Sequence, residues 1–406
     1  MRPLKVVYIH VIGAFGGASR SLYEAVRAFP PNRVEATFLT QRGSVREFFS
    51  RLGRVLEVRG LTKMDNTRYS YYRGFRWLVV LREISYLPAT VAGLWRARRE
   101  CQDVDIVHLN EFTGLAVLWL ARRWLKPRGV VVHVRSLARV DPSSWRTRWV
   151  DSMLRNEADA VVAIDENVRA SLPADLPVQV IHNAFSPAFL PEPDAVVAQR
   201  LAVLRPESFK VGFVGNLLEV KGIHELIEAA AITRKRGYDV EFIIIGDDAA
   251  PSRGLRAMIL RMLGLQQSSR ARVEEALDRH QLRSQVHIVG FTADIARAYQ
   301  RMDVLCFPSY FDAPGRPIFE AAFFGVPSIV AVRDPKPDTL VDGVTGIAIA
   351  PRSAEQLALA IERLASDRDL TRRMGQAARE MAERNFDVRR NASKLLDVYS
   401  QIVGSC

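Results

Sequence analysis

Three cysteines in 406 residues, Cys101, Cys306 and Cys406, are too few and too widely spaced for a disulfide framework or a zinc site. The sequence also lacks any uncharged apolar run of about twenty residues, the length a membrane-spanning helix needs. The first apolar run, residues 6–12, is short and has no cleavage site. It reads as a first strand rather than a signal peptide, and the expected location is cytoplasmic. Low-complexity stretches are missing too: 48% of the residues are hydrophobic and 25% charged, as in a soluble globular chain. The length suggests two domains of ordinary size.

Acidic charge is in short supply in one half only. Residues 1–200 carry 29 Lys and Arg against 19 Asp and Glu, while residues 201–406 carry 28 against 26. A basic first half favours anionic partners: a membrane surface, nucleic acid or phosphorylated substrates. Nucleic-acid binding would rest on this charge alone, and phosphate-bearing substrates explain the charge equally well. Nucleic acid is therefore not an expected partner.

What the sequence does have is strand–helix alternation, centred on residues 307–327. Val304-Leu-Cys-Phe307 reads as a buried strand closed by Pro308 and Ser309, and Pro317 suits the first turn of a helix. Gly325 and Pro327 stop that helix and lead into the apolar run 328–332. Asp312 and Glu320 bracket the helix start eight positions apart. Free N–H groups for phosphate and carboxylates for hydroxyls suggest a nucleotide-sugar site.

The rest of the chain fits this layout. Residues 6–12 lead into Gly13-Ala-Phe-Gly16-Gly17, a phosphate-approach turn whose spacing is wrong for a dinucleotide fingerprint. Asp103-x-Asp105 lies at the start of a strand, away from the carboxyl ends where ligands bind, so no metal site is expected. His108 and His133 lie near strand ends, and Asp165 is placed to cap a helix. Pro187, Pro191, Pro193 and Pro206 mark a linker over 185–204. In the second half, Lys221 precedes a helix beginning at Ile223, where an ammonium group can meet a diphosphate. Residues 68–99 are rich in aromatics and arginine but are interrupted by Arg82, Glu83 and Pro88. They read as core-facing helices with solvated basic faces, or else as an interfacial surface for an anionic membrane. Residues 250–285 read as long, basic and helical, with no functional reading.

Pro308-Ser309, Gly315, Glu320-Ala321, Gly325 and Pro327 match, in order and spacing, the signature that this stretch resembles: that of the retaining family-4 glycosyltransferases. The resemblance implies an α/β chain of GT-B fold, with two doubly wound Rossmann-like domains facing a cleft. The first would comprise 1–184 with the returning helix 387–406, and the second 205–386. It also implies transfer of a sugar from a UDP-, GDP- or other nucleoside-diphosphate donor to a glycan or lipid-linked acceptor, without cofactor or metal. On this likeness Asp312 and His133 hold the donor sugar and Glu320 takes the ribose hydroxyls. Lys221, Gly16, Gly17 and Gly315 face the diphosphate, and Gly290 lies in the loop that holds the base. Asn216, Arg316 and Ile318 complete the donor-binding set. Asp312 stands where glutamate is usual and Asn216 where many members have arginine. These departures keep open a second reading, a sugar-nucleotide-binding partner subunit impaired in transfer. A sugar-nucleotide epimerase of similar architecture would need acid/base groups in other loops.

Overall fold

The computed structural model describes residues 2–68, 76–187, 194–247, 269–292 and 294–404, with backbone alone for 76–78. The chain divides into two compact units, Met1–Phe185 with Phe386–Cys406, and Ser186–Asn385.

The first unit is built on seven parallel strands: β1 (Leu4–His10), β2 (Val34–Gln41), β3 (Arg54–Val58), β4 (Ile106–Leu109), β5 (Gly129–Val134), β6 (Ala160–Ala163) and β7 (Val178–Val180). Their order is β3-β2-β1-β4-β5-β6-β7. Sequence explains the central strands directly. All six residues of β5, Gly129-Val-Val-Val-His-Val134, are buried, as suits a β-branched run covered on both faces. The chain winds outward from β1 to β3, then returns to β4 beside β1. That reversal makes the carboxyl ends of β1 and β4 the favoured place for a ligand.

The second unit repeats the plan with β8 (Phe209–Val214), β9 (Val240–Ile245), β10 (Val286–Gly290), β11 (Val304–Phe307), β12 (Ser328–Ala331) and β13 (Gly346–Ile349). The order β10-β9-β8-β11-β12-β13 puts its reversal between β8 and β11. Both units are thus Rossmann-like, with parallel sheets and flanking helices.

The last helix, Val388–Gly404, belongs to the first unit. Ala392, Leu395, Leu396 and Tyr399 recur at helical spacing and join Val6, Tyr8 and Leu22 in its core. Tyr399 Oη lies 2.7 Å from His108 Nδ1, so His108 ties this helix to β4. The same helix also packs closely on β5, where a Cβ on Gly129 would lie 2.0 Å from Ile402 Cγ2.

Asp105 is 1% exposed and ties together the amino ends of β1 and β4, accepting from the Lys5 N–H at 2.9 Å and the Arg2 guanidinium at 2.8 Å. Asp165 caps its helix as expected, accepting from the Val168 N–H at 2.7 Å. Within the stretch read as a linker, Ala195–Leu201 is a helix with Val197 and Leu201 buried in the second unit's core.

The aromatic and arginine-rich stretch forms two helices, Arg76–Ser85 and Leu87–Glu100. Thr90, Gly93, Leu94 and Ala97 face inward. The outer face differs from the expected solvated basic face, because Val80, Leu81, Ile84 and Trp95 stand on it 49–54% exposed. Residues 69–75 of that stretch lie outside the described residues, as do Pro191, Pro193 and 248–268. Among the described residues no helix is long and apolar enough to cross a membrane.

Candidate functional site

In the second unit, the loops after β8 and β11 are stitched together at the reversal of the sheet. Val220 O accepts from Ser309 Oγ at 3.3 Å and from the Tyr310 N–H at 3.0 Å. Gly222 has φ +77°, and a Cβ there would lie 2.1 Å from the Pro308 carbonyl oxygen. Only glycine satisfies both conditions.

This stitching places Lys221 over the β11 loop. Its Nζ lies 4.9 Å from the centre of the Phe311 ring and 5.8 Å from that of Phe307. Ring faces attract a cation but do not neutralise it. Burial pushes the ammonium's pKa down, and no carboxylate pairs with Lys221 among the described residues.

The two carboxylates of the signature are both held in place. Asp312, at φ +50°, accepts from the Arg333 N–H at 2.8 Å and the Arg333 guanidinium at 2.9 Å. Glu320 is 3% exposed and accepts from Tyr299 Oη at 3.0 Å and Arg316 Nε at 2.5 Å. Arg316, which sequence placed toward the donor, is thus engaged with Glu320 and with the Phe319 ring, 5.4 Å away. Gly315 packs against the tip of the Phe307 ring, where a Cβ would lie 2.3 Å from Cζ. Asn216 is exposed at the end of β8, and Gly290, at φ +87°, ends β10. Ile318 turns its side chain into the core with Leu305 and Val330.

In the first unit, a chain of hydrogen bonds joins four strand ends. Arg135 donates from Nε to Asn110 Oδ1 at 2.5 Å and from Nη1 to Asn183 Oδ1 at 2.7 Å. Its Nη2 lies 3.3 Å from His133 Nδ1. A guanidinium can only donate, so Asn110 turns its amide nitrogen toward His10 Nδ1, at 3.0 Å, and Ala18 O, at 3.2 Å. Both imidazoles then accept at Nδ1 and carry their proton on Nε2. Burial, reinforced by the Arg135 charge, lowers the pKa of His10 to about 3 and that of His133 well below the usual histidine range. His133 Nε2 has no partner among the described residues, which leaves an N–H to donate.

Gly16 and Gly17 open the helix Gly17–Arg27 beside this network. A Cβ at either would meet nothing within 4 Å, and Gly16 has extended backbone, so nothing in the protein's own packing demands glycine there. Glu111, just beyond β4, has φ +135°, which side-chain-bearing residues rarely adopt. Its carboxyl accepts from the Phe112 N–H at 2.9 Å and Ser136 Oγ at 2.7 Å, and burial pushes its pKa up to about 7.

The family described as Glycosyltransferase Family 4 matches residues 15–189, and that described as Glycosyl transferases group 1 matches residues 200–381. The chain belongs to the family-4 glycosyltransferases of GT-B fold. The chain is 25% identical over 393 residues to D-inositol 3-phosphate glycosyltransferase of Actinosynnema mirum, covering 90% of each. It is 26% identical to alpha-D-kanosaminyltransferase of Streptomyces kanamyceticus, over 63% of this chain and 64% of that one. It is also 26% identical to the capsular polysaccharide biosynthesis glycosyltransferase CapM of Staphylococcus aureus, over 44% and 43%. The chain therefore spans less than two thirds of the last two relatives. Among solved structures, HepE of Anabaena, bound to UDP and glucose, shares the fold with a TM-score of 0.73 at 20% identity, over 98% of this chain and 99% of that one. Sucrose-phosphate synthase of Thermosynechococcus elongatus does so with a TM-score of 0.71 at 21% identity, over 99% and 100%.

The sequence did not single out Asn110, Glu111, Arg135 or the contact made by Asn183. The available signal was position: Asn110, Glu111 and Arg135 lie within two residues of the carboxyl end of a parallel strand, and Asn183 follows three after β7.

Proposed function

We propose that this glycosyltransferase moves a sugar from a nucleoside-diphosphate sugar to an acceptor hydroxyl with retention of anomeric configuration. Lys221 carries the proposal: a half-buried ammonium over two aromatic rings, at the sheet reversal, with no carboxylate partner among the described residues. HepE, of the same fold, has been solved with UDP-glucose, which favours a nucleoside diphosphate as the anion.

In the reaction the bond between the anomeric carbon and the β-phosphate oxygen breaks. A bond from the acceptor oxygen forms on the same face, and the acceptor proton passes to the departing phosphate oxygen. The difficulty is the negative charge growing on the diphosphate. Lys221 meets it as a fixed positive charge at a partly desolvated position, with Gly16, Gly17 and Gly315 letting backbone approach the phosphates. Glu320, oriented by Tyr299 and Arg316, takes the ribose hydroxyls. Asn216 offers a neutral hydrogen bond beside Lys221, Gly290 lies in the loop that takes the base, Asp312 holds the sugar's hydroxyls and His133 donates its Nε2–H to the sugar. Because lysine supplies the counter-charge, turnover is expected to survive chelation of divalent ions. CapM's role in capsular polysaccharide favours an acceptor in surface polysaccharide or lipid-linked glycan synthesis.

One observation favours the second reading, a binding subunit impaired in transfer: Asp312 is already committed to Arg333. Release of free nucleotide from a panel of nucleoside-diphosphate sugars separates the two. Turnover with an α-linked product from an α-linked donor, read by NMR, supports transfer with retention. Binding without any release of nucleotide supports the impaired subunit.

A further inference from the structure

We propose that the outer face of the two helices spanning 76–100 docks on an anionic lipid bilayer. A single residue, Tyr86, in the right-handed region separates the helices and Pro88 opens the second, so the pair forms one jointed rod. Val80, Leu81, Ile84, Leu87, Val91 and Trp95 follow one another along it at helical spacing, 40–54% exposed. This makes an apolar strip about 22 Å long at 1.5 Å per residue. Soluble chains rarely leave contiguous apolar surface of this kind without a partner.

The surrounding charge selects the partner. Arg98 and Arg99 are exposed at the rod's end, and the Arg99 guanidinium lies 4.3 Å from the Trp95 ring centre. The neighbouring helices repeat the arrangement. Trp119 is 41% exposed beneath Arg123 at 4.1 Å, and Trp145 is 60% exposed beside Arg146 at 5.7 Å. Residues 51–150 hold 19 Lys and Arg against 8 Asp and Glu. Exposed tryptophan with arginine beside an apolar strip suits the boundary between acyl chains and anionic headgroups. A second copy of the chain fits less well, since a twofold contact would set like-charged rims against each other. No helix crosses the bilayer in this arrangement. The rod lies along its surface.

The test is flotation of the full chain on phosphatidylcholine vesicles with and without phosphatidylglycerol, at low and high salt. The proposal expects binding to the anionic vesicles alone, weakened by salt. It also expects about a 30-fold loss in R98A/R99A and complete loss in L81E/I84E/V91E. Circular dichroism melts confirm that the variants fold. An independent readout on the unaltered surface is quenching of tryptophan fluorescence by brominated lipid, part of which should vanish in W95F. Equal binding to neutral vesicles, no binding to anionic ones, or undiminished binding by the folded triple variant would each overturn the proposal. So would a dimer in light scattering that L81E/I84E/V91E abolishes, which would assign the strip to a second copy.

Discussion

Asp312 and Arg333 form a two-point contact in which one carboxylate takes both the backbone N–H and the guanidinium of the same residue, at 2.8 and 2.9 Å. Aspartate is one methylene shorter than the glutamate usual at this place, and Arg333 fixes where that shorter arm points. Removing the guanidinium in Arg333→Ala leaves the backbone bond and frees the side chain. Because the Arg333 side chain is 65% exposed, the melting temperature should barely move. The kcat for sugar transfer should fall about tenfold, with partial rescue in Arg333→Lys, whereas a structural role alone would shift stability without this kinetic pattern.

Lys221→Ala should weaken donor binding by about 10- to 100-fold, the range for loss of a charge-assisted contact. Lys221→Arg should recover part of this. Isothermal titration with the free nucleoside diphosphate reads the effect apart from chemistry.

Gly16 and Gly17 give a sharper separation of stability from function. Their Cβ positions are open, so Gly16→Val and Gly17→Val should fold with near-normal melting temperatures. The added side chains would occupy the space proposed for the diphosphate, and turnover should fall at least about 100-fold. By contrast, Gly222→Ala should destabilise the second unit, because both its φ and the Pro308 carbonyl exclude a Cβ.

The polar network predicts an acid-sensitive first unit. Burial, with the Arg135 charge, lowers His10 and His108 to about 3 and His133 well below the usual value, while unfolded histidine takes its proton near pH 6.5. The unfolded chain thus binds more protons below pH 6.5. Stability falls as pH drops through this window, by up to about 1.4 kcal/mol per pH unit for each histidine. Glu111 acts in the opposite sense: raised from 4.5 to about 7, its contribution is full below 4.5 and is lost as pH rises through 7. Between pH 4.5 and 6.5 the slope should therefore approach two protons rather than three. Urea unfolding across this range should show that slope, and Glu111→Gln should steepen it. A flat profile would contradict the network.

The central strands and the signature helix could be read from sequence because their chemistry is local. The runs 304–307 and 329–332 are continuously apolar, and Pro317 and Gly325 punctuate the helix between them. Edge strands β3 and β13 were not legible. Arg54-Val-Leu-Glu-Val58 mixes charge with apolar residues on an edge that needs less burial, and Gly346–Ile349 is only four residues long. Lys221 was legible from its place before a helix, but its seat on Phe307 and Phe311 depends on Gly222 meeting Pro308 across 86 positions of sequence. Likewise, Arg135, which follows β5, orients Asn110 after β4 and, through it, His10 on β1. Such contacts arise from topology, which local pattern does not encode.

The most direct measurement is the melting temperature of the wild type and Lys221→Ala with UDP, GDP, ADP and dTDP and their sugars. Donor binding at Lys221 predicts that one nucleotide family, at about 100 times its Kd, raises the wild-type melting temperature by about 5–10 °C. The same ligands should raise Lys221→Ala by no more than about half as much. If none of them stabilises the wild type, or if Lys221→Ala gains as much as the wild type does, the donor site is not where this account puts it.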